Sequence, residues 1–167
     1  MISYLDRLRH ELEDVMGNAS VSQLMAAPAG KWSGAQILEH LFLSYQGTNH
    51  GLSRCLKHGS PLATRTTPKQ RFAKLLVVDM GYMPPGVKAP EVVVPRGMSL
   101  DNTQQAIVPE LQRMTLALDD CEGRFGSRTK IMDHPLLGPL TAEEWRKLHW
   151  VHGRHHARQL RQRIGKV

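Results

Sequence analysis

Residues 141–160 read TAEEWRKLHWVHGRHHARQL, and how this stretch folds decides the rest of the chain. Thr141 followed three residues later by Glu144 is a capping-box signature, so a helix starts here. Laid out at about 100° per residue, His149, His152 and His156 all fall within roughly 40° of Trp145, with Leu148 and Leu160 flanking the same arc. Lys147, Arg154, Arg158 and Arg161 occupy the opposite side, and Arg146 stands toward one edge. The periodicity therefore predicts a helix that turns arginine to water and histidine to the interior of a helical assembly.

Four of the nine histidines lie within residues 149–156. Each buried imidazole needs partners for its two nitrogens, and several together disfavour protonation. His152 and His156, spaced i,i+4, are neighbours on one helix face, a spacing that lets two imidazoles reach a single metal ion.

A third ligand has to come from another helix. KWSGAQILEHLFL, residues 31–43, carries a second capping box in Ser33 and Gln36, with Trp32 placed to pack on Ile37. On the helix that follows, His40 shares the apolar face with Ile37, Leu41 and Ser44. The remaining histidines fit less well: His10 is on a charged run, His50 and His58 are in the less apolar end of the second helix, and His134 precedes Pro135 in a loop.

The other elements are also helical. Leu5, Leu8, Leu12 and Met16 follow a 3.6-residue period until Gly17-Asn18. The second helix extends to about Lys57, where His58-Gly59-Ser60-Pro61 ends it. Thr67-Pro68 opens a minor helix with Phe72, Leu75, Leu76 and Met80, closed by Gly81. Residues 81–97, GYMPPGVKAPEVVVPRG, form a Pro-rich loop with a brief extended piece at Glu91–Val94. A long helix from about Asp101 to Cys121 sets Ile107, Leu111, Met114 and Leu118 on one side, with Pro109 expected to bend it or delay its start. HPLLGPL reads as a turn-rich approach to the last helix. The expected fold is all-α: an antiparallel four-helix bundle with a minor extra helix and a Pro-rich loop, in a single domain spanning residues 1–167.

The whole chain sets limits on function. Its 167 residues suffice for one core without staples. Two cysteines, Cys55 and Cys121, make neither a disulfide framework nor a thiolate metal site and fit a reducing compartment. The N-terminal stretch alternates charge with Leu and lacks a signal-type apolar run, and no stretch approaches the ~20 apolar residues of a membrane span. A cytoplasmic protein with no membrane partner is the expectation. The net charge of +7 raises nucleic-acid binding. However, aromatics are not interleaved with the basic residues as a stacking platform requires, so the charge reads as general surface basicity.

WSGAQILEHL at 32–41 and HGRHHARQL at 152–160 together resemble the DinB/YfiT-like superfamily of metal-binding four-helix bundles. HPLLGPLTAEEWRKLHWVHGRHHARQL is similar to a subfamily of unknown function with the pattern HPxFGxLTxxEWxxLxxxHxxHHxRQ, departing from it at Leu137, where an aromatic is usual. The resemblance implies a metal held by His40, His152 and His156, the same three that the helical wheels select. His149 and His155 are then extra, as lining or supporting groups. Three neutral imidazoles leave a divalent ion its full charge and open positions, and zinc or nickel fits such ligands. The resemblance further implies a metal-dependent enzyme acting on a small-molecule substrate, either a hydrolase or an S-transferase using a low-molecular-weight thiol. The alternative is a non-catalytic metal-binding or basic nucleic-acid-associated protein. No residue stands out as the general base: Glu39 points off the face of His40, and Glu143 and Glu144 serve the helix start. A homodimer fits the resemblance, but no interface is legible.

Overall fold

Side-chain caps set where the helices begin. A computed structural model describes residues 2–84, 86 and 88–165. Ser3 caps α1 (Tyr4–Gly17), and Ser33 with Gln36 closes a capping box on α3 (Gly34–His58). Thr67 with Gln70 does the same for α4 (Pro68–Lys74), Ser99 caps α5 (Leu100–Phe125), and Thr141 with Glu144 boxes α6 (Ala142–Ile164). Each cap satisfies backbone N–H groups that the first helical turn leaves open, typically worth about 1 kcal/mol. Gly59, at φ 75°, ends α3 in the left-handed conformation, where a side chain would be strained.

The chain is mostly helical, as the patterning predicts, and among the described residues no helix is long and apolar enough to cross a membrane. The helices share one core. Leu5, Leu8, Leu12 and Val15 of α1 meet Ile37, Leu38, Leu41 and Leu52 of α3, Ile107, Leu111, Met114 and Leu118 of α5, and Trp145, Leu148, Val151 and Leu160 of α6. Burying each such side chain contributes about 1.5–3 kcal/mol. The most extensive pairings are α3 with α5 and α1 with α6. Gly153 explains the second: a Cβ there would collide with Leu8 Cδ1, so glycine lets the backbones of α1 and α6 approach.

Several elements depart from the sequence reading. A five-residue helix, α2 (Val21–Met25), begins at Ser20 with its own capping box to Gln23 and was not anticipated. HPLLGPL is part of an antiparallel hairpin, β1 (Met132–His134) paired with β2 (Gly138–Leu140). Three-residue strands are too short for a period of two to register. Glu91–Val93 is a 3₁₀ turn, and only Val94 after it is extended. Pro85 and Val87 of the Pro-rich loop lie outside the described residues. Pro109 does not delay α5, which starts at Leu100 and runs through it. α4 passes into a π-helical turn at Leu75–Asp79, and Phe72, Leu75 and Met80 are exposed.

The basic side of α6 is corrected in part. Arg146 is buried and meets Asp119, Glu122 and Glu143. Arg154 is half-buried with its guanidinium over the Trp150 ring, and Arg161 pairs with Glu11 and Asp14. Partners on α5 reach Arg146 only once the helices pack, so wheel position alone misjudges its exposure. Arg158 and Arg161 are exposed as expected.

Candidate metal centre

The phase of α3 is set at Ser33, and it carries His40 into the core-facing side, where the residue is 4% exposed. α6 runs past α3 and presents His152, half-buried, and His156, buried. The three side chains converge: one nitrogen from each lies within 4.8 Å of the others. His152 Nε2 is 3.1 Å from His40 Nε2 and 3.0 Å from His156 Nε2.

The outer nitrogens determine what these contacts can be. His40 Nδ1 stands 2.8 Å from the Val93 carbonyl oxygen, which only accepts, so Nδ1 carries the hydrogen and Nε2 keeps its lone pair. His156 Nδ1 donates to Gln159 Oε1 at 2.8 Å, and its Nε2 is likewise a lone pair. His152 Nε2 holds at most one hydrogen, yet it faces both. With that hydrogen, His152 satisfies one acceptor and leaves the other lone pair without a donor of its own; without it, lone pairs oppose each other at both contacts, about 3 Å apart.

A cation between the three nitrogens removes that conflict. Ligand atoms about 2.0–2.1 Å from a zinc ion at tetrahedral angles stand roughly 3.3 Å from one another, close to the two contacts that His152 makes. Burial favours the neutral, metal-binding form of each ring. It lowers the pKa of His40 against the opposing hydrogen bond to Val93, and that of His156 to about 3. His152 is lowered well below the usual histidine range by burial, followed by the charges of His156 and His40. The donor set fits a divalent ion.

The other histidines sit apart. His10, His50 and His58 are exposed. His134 lies against Trp145, and burial lowers its pKa to about 4. His149 is buried one turn before His152 and lies 3.0 Å from Thr48 Oγ1. Thr48 gives its hydroxyl hydrogen to the Ser44 carbonyl, so it accepts from His149 Nε2. His155 reaches the site indirectly: Gln159 bridges its Nε2 to His156.

The candidate acids and hydroxyls are mostly engaged elsewhere. Glu144 caps α6 and binds Lys74 and Lys130. Burial opposes its ionisation, but those contacts prevail and hold its pKa at about 2. Glu143 is exposed beside Arg146. Ser44 donates to the His40 carbonyl, and burial pushes the Tyr45 phenol well above its usual range. Glu39 does point away from the triad, but it is 3% exposed, and its carboxylate accepts the backbone N–H of Arg96 and of Gly97.

Four contributors escaped the sequence reading as parts of the site. Trp32, expected to pack on Ile37, has its ring 5.1 Å from that of His40. Gln159, at i+3 from His156, had a signal in its spacing. Val93 and Glu39 had none, because one acts through its main chain and the other through a distant loop.

No curated protein and no solved structure matches this chain. One family model does, over residues 4–163, which include all three converging histidines. The chain thus belongs to the family described as a protein of unknown function (DUF1569).

Proposed function

We propose that this protein binds one divalent metal ion, zinc or nickel, through His40, His152 and His156, and acts on a small-molecule substrate as a hydrolase or a thiol-dependent S-transferase. The observation that carries the reading is the pair of Nε2–Nε2 contacts shared by His152, because one hydrogen cannot satisfy both. When bound, such an ion supplies a Lewis acid that makes a water or a thiol nucleophilic near neutral pH. The chain's own part is to keep three rings neutral, aim them at one point, and leave the His152 side half-open.

The likeness to the DinB/YfiT superfamily is part of the same proposal, as is the four-helix bundle. α1, α3, α5 and α6 are the four long helices, and their shared core supports that topology. The two cysteines are free and buried, in keeping with a cytoplasmic setting.

Metal analysis of the purified protein, with zinc or nickel added back, tests the reading. We expect about one ion per chain. Full occupancy in His40→Ala, His152→Ala and His156→Ala alike would refute it.

A further inference from the structure

Two adjacent residues of α3 grip one stretch of chain. His40 gives its Nδ1 hydrogen to the Val93 carbonyl at 2.8 Å. Glu39, beside it, takes the N–H of Arg96 at 2.6 Å and that of Gly97 at 3.2 Å. We propose that Pro90–Gly97 is a strap that holds the His40 ring for metal, with Glu39 the positioning residue that fastens it. This rests on the three-histidine reading above.

The stretch is built to transmit that grip. Pro90 and Pro95 have restricted φ and no N–H, and Val94 is extended at φ −69°, ψ 134°. Only two residues, Val94 and Pro95, therefore separate the carbonyl on His40 from the amide on Glu39. Gly97, at φ 91°, turns the chain directly after the second of these N–H groups, in a conformation that disfavours any side chain, so a residue with a Cβ there would strain the end of the strap.

Charge points the same way. Among the described residues no lysine, arginine or histidine forms an ion pair with Glu39, although it is 3% exposed. Its carboxylate is held by the two strap amides and faces away from the three rings, so what it does for the metal runs through the strap. The carbonyl on Nδ1 keeps His40 in the tautomer whose Nε2 can bind, and partners of this kind usually contribute 10–100-fold in affinity. By linkage, metal binding must tighten the strap to the same degree that the strap tightens metal.

Cobalt(II) is the probe, because its visible absorption reports ligand geometry. Wild type, Glu39→Gln, Gly97→Ala and His40→Ala are titrated after circular dichroism has established that each is folded. Trypsin cleavage at the exposed Arg96 is followed with and without Co²⁺. We expect Glu39→Gln to bind about 10–100-fold more weakly with an altered spectrum, and Gly97→Ala to do likewise. Co²⁺ should slow cleavage at Arg96 in wild type and far less in either variant. Should Glu39→Gln not fold, Gly97→Ala carries the test, since a Cβ there meets nothing within 4 Å and acts only on strap conformation. Wild-type affinity, spectrum and protection in the folded variants would overturn the strap while leaving the metal site standing. A wild type that binds no Co²⁺, zinc or nickel would overturn both.

Discussion

His40 Nε2 stands 3.1 Å from His152 Nε2, across the interface of α3 and α6, and neither nitrogen has another protein partner that relieves the contact with His156. The metal-free protein therefore carries a local conflict that a non-ligating side chain removes. His152→Leu should abolish metal binding and raise the stability of the metal-free protein by about 0.5–2 kcal/mol, the usual range of a stabilising single change. Urea denaturation in the presence of a chelator measures it; a destabilised His152→Leu would show that the conflict is absent. His10→Ala, on the exposed face of α1, should change neither quantity.

Acid should unfold the metal-free chain earlier than its surface charges alone would. His149 has its pKa lowered to about 3 by burial and by the charge of His134, and His134 itself is lowered to about 4 by burial. Unfolded histidines titrate near ~6.5. Above that pH both states are neutral and these groups contribute nothing. As pH falls from ~6.5 toward 4, the unfolded chain takes up protons that the native one refuses, so stability falls. Each such residue contributes a slope approaching about 1.4 kcal/mol per pH unit. Denaturation midpoints at pH 7.5, 6.5 and 5.5 should be flat over the first interval and steep over the second, with a shallower second interval in His149→Leu.

Gly153→Ala should cost about 1–3 kcal/mol, because the added methyl meets Leu8 and α1 must shift. For a chain of this length each kcal/mol lowers Tm by about 2–4 °C. Leu8→Ala alone should cost about 2–5 kcal/mol. The double variant should be more stable than the sum of the two losses predicts, since the smaller residue 8 makes room for the new methyl. Strict additivity in thermal denaturation would argue against this contact.

Replacing Arg154, Arg158 and Arg161 together with Gln should leave metal content unchanged. Arg161 meets Glu11 and Asp14 at a half-exposed surface, so its loss should cost no more than about 1 kcal/mol. Duplex DNA binding by the wild type should be weak and fall steeply with added salt. Tight binding at physiological salt that the triple variant abolishes would favour a nucleic-acid role over the metal-centred one.

Much of this protein is decided within single helices, and that part is legible in the residues. Ser33 with Gln36 and Thr141 with Glu144 start α3 and α6 by hydrogen bonds that span three residues. The 3.6-residue period then dictates that His152 and His156 share a face, and that His40 lies with Ile37 and Leu41. Such contacts reach no farther than one turn, so residue order suffices to locate them. What only the tertiary structure decides are the contacts between residues far apart in the chain. Val93 reaches His40 through a carbonyl that every residue type possesses. Glu39 is buried because a Pro-rich segment more than fifty residues away lays two amides on it. Arg146 is buried where α5 brings Asp119 and Glu122 to it, and Gly153 matters because Leu8 of α1 lies against it. A helical wheel assigns a direction to a side chain but not the neighbour it will meet, and main-chain partners leave no mark on the identity of the residue that supplies them.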